Sequence, residues 1–412
     1  MTRREFIKGA VTLAALAPVS RLAAKAGADG DKQSDLVGGT QVTRRPYRKT
    51  AMTLPLLGFG CMRFPQTPAG TIDKAVVKTM VEQAMRAGCN YFDTAYMYHG
   101  GESERCIGEV LKAYPRDSYY LADKMPVWFA HDPAGIEKIF QEQLARCQTD
   151  YFDFYLVHAL SAENWKLAQE YKALEFLDRM KKAGKIRKLG FSFHDTPEVL
   201  RTIVGARQWD FAQIQLNYLD WDLYRSREQY EILTEADIPV VVMEPLRGGA
   251  LAALSPDAEA ILKKADPEAS CAAWAFRYVA SLPNVLCILS GMSHPDHLTD
   301  NLKTFSPIRL LTAADRRTLN RALKAYRKHL AVPCTACRYC MPCPFGVEIP
   351  RIFGIYNQYK ISGNKWLFTR SYNTIPPKSR ATACVGCGKC MKQCPQKIRI
   401  PEELKKIARE VR

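Results

Sequence analysis

From Leu54 onward, short apolar runs alternate with longer segments of helical spacing, and the alternation continues to about residue 306. The strand-like runs fall near Leu54–Gly60, Tyr91–Ala95, Tyr119–Lys124, Phe152–His158, Ile186–Ser192, Phe211–Leu216, Pro239–Glu244 and Val285–Ser290. Helical character follows each of them: Asp73–Ala87, Glu102–Ala113, Pro133–Cys147, Ala162–Lys182, Thr196–Ala206, Arg225–Ala236, Glu268–Ser281 and Pro295–Phe305. Within the first of these, Val76, Val77, Met80, Val81 and Ala84 share one helix face, as expected of a helix packed on a sheet. Eight strand-plus-helix units predict an α/β fold, a closed (β/α)₈ TIM barrel over residues 50–306. The competing doubly wound sheet lacks its mark. No G-x-G-x-x-G follows the first strand, and Gly58-Phe59-Gly60 is only a turn fragment.

The flanks carry other patterns. Residues 1–26 begin Met-Thr-Arg3-Arg4-Glu-Phe6-Ile-Lys8, continue into an apolar run from Ala10 to Val19, and offer Ala24-Lys25-Ala26 as a small-residue cleavage site. This resembles a twin-arginine signal peptide and sets the expectation of a periplasmic or otherwise exported protein, the alternative being cytoplasmic. The run is too short to span a bilayer, and no cysteine precedes Cys61 to carry a lipid anchor. Residues 27–49 are polar and glycine-rich and read as a linker. After the barrel, Leu311–Leu330 within residues 307–331 reads as a basic, solvated helix joining two domains.

Charge narrows the partners. The net charge of +17 suits nucleic acid, an anionic membrane or an acidic protein. Lysines and arginines are widely spread and no zinc-finger or RNA-binding aromatic signature is present, which disfavours nucleic acid and leaves an acidic redox protein as the expected partner.

Candidate chemistry lies at the strand ends. Asp93 closes Tyr91-Phe92-Asp93 with Tyr98 five residues on, Lys124 ends Leu-Ala-Asp-Lys, and His158 ends Tyr-Leu-Val-His. Singly, each has an ordinary structural explanation. In a parallel barrel, however, all four converge at the carboxyl ends of successive strands, where such barrels build active sites. A phenol of pKa about 10 holds its proton at neutral pH, and a neighbouring ammonium would lower that value and make Tyr98 a better acid. Asp93 would hold Lys124, and His158 would orient the oxygen that receives the proton. The set suits reduction of a carbonyl and not hydrolysis, because no nucleophile with an adjacent base is evident.

Eight cysteines occupy two runs, Cys334-x2-Cys337-x2-Cys340-x2-Cys343-Pro and Cys384-x2-Cys387-x2-Cys390-x3-Cys394-Pro. Three thiolates at two-residue gaps face one iron-sulfur cube, while the fourth, followed by proline, passes to its neighbour. By that crossed pattern Cys334, Cys337, Cys340 and Cys394 hold one [4Fe-4S] cluster, and Cys384, Cys387, Cys390 and Cys343 the other. Structural zinc is the alternative for paired C-x-x-C. Residues 332–402 resemble bacterial two-cluster ferredoxins, which implies a small α+β ferredoxin-like domain over residues 332–412. Two features depart from that pattern: the first run closes with two intervening residues instead of three, and an insert of extra helix or loop, Phe345–Ala383, separates the runs. Cys61, Cys89, Cys106, Cys147, Cys271 and Cys287 stand alone and read as buried, inert thiols.

Asp93-Thr-Ala95-x-x-Tyr98, Lys124, His158, Gly190-Phe-Ser192, Gln213 and Ser290-Gly291-Met292-Ser293 with Asp300-Asn301 together resemble the aldo-keto reductases. The resemblance covers about residues 50–306 and implies a barrel that binds NADPH or NADH in extended form. On matching positions it makes Tyr98 the acid, supported by Asp93, Lys124 and His158. It also implies that Gly60, Cys61 and Met62 line the cofactor and that Ser192 and Gln213 hold its carboxamide. Met243 to Gly248, with Pro245 and Leu246 between them, would border nicotinamide and pyrophosphate. Ser290, Gly291, Met292 and Asn301 would hold the adenosine end. Four positions depart from residues common in the family: Phe193, which weakens the carboxamide contact, Met243, where an aromatic often stacks on nicotinamide, and Gly291 and His297, where Lys and Arg often grip the 2′-phosphate, which puts the choice between NADP and NAD in question. The sequence thus describes an NAD(P)-linked oxidoreductase interconverting a carbonyl and an alcohol, with clusters for electron transfer or structure. The alternative is an electron-transfer protein whose barrel is a binding scaffold. Nothing in the loops encodes the substrate.

Overall fold

Side chains on a strand alternate between its two faces, and this parity organises the barrel in the computed structural model, which describes residues 41–48, 50–329, 331–363 and 365–411. The signal-peptide reading of residues 1–26 lies outside the described residues. The strands are β1 (Arg44–Pro46), β2 (Thr53–Pro55), β3 (Leu57–Gly60), β4 (Tyr91–Asp93), β5 (Tyr120–Met125), β6 (Phe152–Leu160), β7 (Ile186–Phe193), β8 (Phe211–Gln215), β9 (Val240–Met243) and β10 (Val285–Ser290). Strands β3 to β10 pair in parallel in chain order, and β10 closes on β3, so the predicted TIM barrel is the observed fold.

Tyr91, Ala122, Phe154, Leu156, Phe211, Val241, Cys287 and Leu289 share one parity and pack together inside the barrel. Their sequence neighbours Phe92, Leu121, Tyr155, Val157, Ala212, Val242 and Ile288 face outward into the larger core shared with the helices. Two positions further along the inward parity stand Asp93, Lys124, His158, Gln213 and Met243. The lower barrel is therefore a packed apolar plug, and the carboxyl end is polar. Two inward glycines make room for the plug. A Cβ on Gly58 would lie 2.8 Å from Cys287 Sγ, and one on Gly190 would lie 2.5 Å from the Phe211 carbonyl oxygen.

At the amino end, β1 and β2 form an antiparallel hairpin. Tyr47 and Leu54 join the inner cluster, and the Tyr47 hydroxyl donates to the Asp210 carbonyl at 2.8 Å. Residues 41–48 are thus part of the barrel floor and not linker. A strand of three residues is too short to announce itself by periodicity.

The helices follow the expected order, with an extra short one at Asp220–Leu223 and two larger differences. The segment Ala162–Lys182 is two helices, Ala162–Glu170 and Ala173–Lys182, broken at Lys172 with φ of 51°. A further helix, Pro256–Ala265, precedes Cys271–Ala280. The expected solvated linking helix spans Ala313–Arg327 and is not solvated on all sides. Leu319, Ala322, Leu323 and Tyr326 form a stripe buried against Leu251, Leu254, Leu262 and Trp274, while the basic residues occupy the opposite face. Its start is fixed by a capping box between Thr312 and Asp315.

The C-terminal region contains helices Ile349–Ser362, Lys365–Asn373, Lys389–Lys392 and Ile400–Glu410 around a core that includes Val347, Phe353, Tyr356, Phe368 and Leu404. Among the described residues it has no strand, so the ferredoxin-like region is helical instead of α+β. Its Cys-x-x-Cys turns and prolines break the chain into pieces too short to pair, and the insert supplies two of the helices. This region rests on the carboxyl mouth of the barrel. Arg63 donates to the Thr335 carbonyl at 3.1 Å, Arg247 to the Pro333 carbonyl at 3.1 Å, and Gln396 to Gln215 at 2.8 Å. Lys397 pairs with Asp195 at 3.0 Å. Among the described residues, no helix is long and apolar enough to cross a membrane.

Candidate active site

Strand β4 ends in Asp93, and a tight turn then places Tyr98, whose backbone N–H donates to the Ala95 carbonyl at 3.0 Å. From β5, the Lys124 ammonium donates to Asp93 Oδ1 at 2.6 Å and to the Thr94 carbonyl at 2.5 Å. The same nitrogen lies 4.9 Å from the centre of the Tyr98 ring. From β6, His158 meets Tyr98 edge to face, with ring centres 6.2 Å apart. All four side chains are buried. The convergence expected from strand order is present.

The electrostatics differ from the sequence expectation in one respect. Burial first, and then the Asp93 carboxylate, hold the Tyr98 phenol well above its ordinary value, so the neighbouring ammonium does not produce a net lowering. Lys124 directs its hydrogen bonds to Asp93 and Thr94. Burial also pushes the Asp93 carboxyl up, opposed by Lys124. His158 is held well below its usual range by burial, by Lys124 and by His194, so it is a neutral imidazole at physiological pH.

A cavity of about 540 Å³ opens beside this group. Asp93 and Tyr98 stand on its wall together with His194, Cys337 and Tyr339, and Ser270, Asp296, Asp300 and Asn301 line it as well. Gly60, Met62, Gln213, Met243, Pro245, Leu246, Gly248, Ser290, Gly291 and Asn301 all line it, as the resemblance implies. Gln213 Oε1 is buried with no hydrogen-bond partner, which suits an amide N–H donor such as a carboxamide. Asn301 donates to Ser290 Oγ at 2.9 Å, which fixes both side chains. At Gly248, with φ of 66°, a Cβ would lie 2.0 Å from the Thr335 carbonyl, so only glycine permits this approach of the C-terminal region.

Three expected cofactor residues are not on the wall. Ser192 Oγ accepts from the Ala159 N–H at 2.7 Å, Cys61 is buried with its thiol toward the Phe59 carbonyl, and Met292 is buried in the helix-facing core. Lys124 and His158 also stand behind the wall.

Four residues gain importance only in three dimensions. Arg63 is the wall's one Lys or Arg among the described residues, and its stem lies against Gly291. Glu244 is pushed by burial to about 7, with one carboxylate oxygen 4.0 Å from Arg63. Burial holds the His194 imidazole at about 4. Tyr339, from the C-terminal region, brings its hydroxyl to 3.3 Å from His158 Nε2. No local pattern announces Tyr339, because its place depends on that region folding back over the barrel mouth.

The cysteines fall into the crossed groups. Cys334, Cys337, Cys340 and Cys394 surround one cavity of about 20 Å³. Cys343, Cys384, Cys387 and Cys390 surround another of about 20 Å³. Among the described residues no three His, Cys, Asp or Glu side chains converge as ligands of one metal ion, whereas zinc would draw its sulfurs to about 2.3 Å from a single point. Four thiols spread around a small apolar cavity fit the faces of a cube. Burial pushes Cys334 up to about 11 and Cys337 up to about 12, so their thiolates require a positive partner, which an iron-sulfur core provides. The six solitary cysteines are buried.

Comparison with known proteins agrees with this geometry. The family model described as the aldo/keto reductase family matches residues 56–323, and a 4Fe-4S dicluster domain model matches residues 333–399. An uncharacterised oxidoreductase of Bacillus subtilis is 24% identical over 316 residues, which cover 69% of this chain and 96% of that protein. An NADH-specific methylglyoxal reductase of Escherichia coli is 26% identical over 225 residues, 50% of this chain and 68% of that protein. The holo form of an aldo-keto reductase from Bacillus halodurans shares the fold with a TM-score of 0.58 at 24% identity, covering 68% of this chain and 96% of that one. The chain belongs to the aldo/keto reductase family, and a 4Fe-4S dicluster domain follows its barrel.

Proposed function

We propose that this oxidoreductase interconverts a small carbonyl compound and its alcohol with NADH or NADPH held in the barrel cavity. The carrying observation is that Tyr98 and Asp93 stand together on the wall of a cavity of about 540 Å³ that Asn301 also lines. The unpartnered Gln213 oxygen on the same wall supports a carboxamide beside it. The reduced nicotinamide would supply a hydride to the carbonyl carbon.

The chain's own residues do the proton work. Tyr98 keeps its proton at neutral pH, because burial and Asp93 hold its pKa high, and donates it to the carbonyl oxygen as negative charge develops there. That charge also draws on Lys124, fixed by Asp93 at 2.6 Å. Neutral His158 stands behind the wall and holds the Tyr339 hydroxyl, 3.3 Å from its Nε2, beside the place of the oxygen. In the reverse direction the same phenol oxygen takes the proton from the alcohol.

Tyr339, which lines the cavity with its ring centre 6.4 Å from that of His158, crowds the place of the substrate. This favours a small aldehyde or ketone over a bulky one, in keeping with the methylglyoxal reductase among the similar proteins. The competing reading, an electron carrier with an inert barrel, is separated by Tyr98→Phe. A reductase loses carbonyl turnover by about 10²–10⁴-fold and keeps nucleotide binding. An electron carrier passes electrons to an acceptor dye unchanged and never reduces a carbonyl.

We further propose export by the twin-arginine route, supported by Arg3-Arg4 and the short apolar run that follows. That route carries folded, cofactor-loaded proteins, which suits a chain with two clusters. Fractionation of cells expressing the Arg3→Lys, Arg4→Lys variant tests it: the protein should remain cytoplasmic, and unchanged export would refute the proposal.

A further inference from the structure

We propose that the exposed face around Cys387 is the docking site of an acidic one-electron carrier protein. The inference rests on the two-cluster reading of the cysteines and is independent of which carbonyl compound the barrel uses.

Scattered apolar residues on a surface need no explanation, but this group is concentrated around one cluster cavity. Phe345 is 47% exposed, Val385 61% and Met391 41%. Phe345 and Val385 line the cavity of Cys343, Cys384, Cys387 and Cys390, and Cys387 itself is exposed. Met391 follows Cys390 on the helix Lys389–Lys392. An iron-sulfur group held by these thiols therefore lies against solvent, behind large apolar side chains.

The surrounding charge is predominantly positive. Between Glu348 and Glu402 the chain carries ten Lys or Arg and no Asp or Glu. Lys389 and Lys392 are exposed on the short helix. The backbone bond from Glu348 N–H to the Ser379 carbonyl, at 2.9 Å, brings exposed Lys378 beside the Phe345 loop. The flanking acids are the partly exposed Glu348 and the pair Glu402 and Glu403, of which Glu402 is paired with Arg399 at 3.4 Å. An apolar centre with a cationic rim fits a partner that presents an apolar centre with an anionic rim.

The interior explains why such a partner has a use here. Ile349 lines both cysteine cavities, so little more than one side chain separates them. Thr335 and Cys337 of the inner group also line the barrel cavity that Tyr98 and Asp93 face. A continuous line of cysteine groups thus joins the exposed face to the candidate active site. One electron crosses at each encounter with the carrier, and no atom is exchanged. The carrier is oxidised as the cluster is reduced, or the reverse, so each encounter balances by itself.

The test measures binding of the cluster-loaded full chain to an acidic flavodoxin by titration calorimetry, with a basic cytochrome c and anionic phospholipid vesicles alongside. Flavodoxin binding should weaken steeply with added salt and by about tenfold or more in Lys378→Glu, Lys392→Glu. Lys166→Glu, an exposed charge on a barrel helix, should leave it unchanged. Cluster absorbance confirms that each variant is loaded. Binding that ignores the double reversal overturns the proposal, as does equal affinity for cytochrome c. Vesicle binding abolished by the same reversal, with no flavodoxin binding, would make the face a membrane contact and equally overturn it.

Discussion

Replacing Lys124 with methionine keeps the length of the side chain and removes its charge, leaving Asp93 with no cation in a site where it is 3% exposed. Breaking one partner of a buried pair costs about 3–5 kcal/mol when the other stays charged. Asp93 has an escape, which is to take up a proton. From an ordinary carboxyl pKa of about 3.9, neutralisation costs about 2 kcal/mol at pH 5.5 and about 5–6 kcal/mol at pH 8, at 1.36 kcal/mol per unit. Protonation is therefore the cheaper route in acid and offers nothing at pH 8. Burial already raises the folded-state pKa of Asp93, and loss of Lys124 raises it further. A carboxyl whose folded pKa exceeds its unfolded value loses stability as pH rises from the unfolded value through the folded one. The variant's deficit should accordingly be about 2 kcal/mol at pH 5.5 and about 3–5 kcal/mol at pH 8. Urea unfolding at the two pH values reads this directly, and Asp93→Asn, Lys124→Met should recover most of the loss at pH 8. A deficit independent of pH, or a double variant no more stable than the single one, would refute the reasoning.

Two further outcomes follow from the cavity. Tyr339→Ala removes the phenol that reaches His158 at 3.3 Å, so it should lower KM for bulkier ketones several-fold and reduce discrimination among substrates; steady-state kinetics across a graded ketone series would show it. The cavity wall carries the carboxylates of Asp296 and Asp300, and its one Lys or Arg among the described residues, Arg63, is turned to the Thr335 carbonyl, so an added phosphate on the adenosine ribose would meet like charge. NADH should bind about tenfold or more tighter than NADPH by fluorescence titration, and Asp296→Lys should narrow that gap.

Some of this was legible along the chain because the physics is local. The parity that makes Tyr91, Phe154 and Phe211 apolar and then places Asp93, Lys124, His158 and Gln213 two residues beyond an apolar partner is written in the strands themselves. The cysteine spacing likewise carries the crossed grouping, since a two-residue gap and a closing proline act within one turn. Features that depend on distant segments were not legible. Tyr47 joins the floor only because β1 pairs with β2 and its hydroxyl finds Asp210, far along the chain. The stripe Leu319, Ala322, Leu323 and Tyr326 is visible as spacing, but the basic residues on the other face masked its packing against the helix Pro256–Ala265. Tyr339 enters the site through the docking of the C-terminal region. The pKa of Tyr98 was misjudged for a related reason: motif reasoning sees the ammonium nearby and not the burial that outweighs it.

The central claim is that the barrel cavity places a nicotinamide against a carbonyl carbon with Tyr98 at its oxygen. The most direct measurement supplies the holoenzyme with NADH deuterated at the transferable ring position and a small aldehyde, and locates the label by NMR. The account predicts one deuterium on the carbinol carbon of the alcohol, and its disappearance in Tyr98→Phe. An alcohol that forms without label, its carbon-bound hydrogen drawn from solvent, would contradict it.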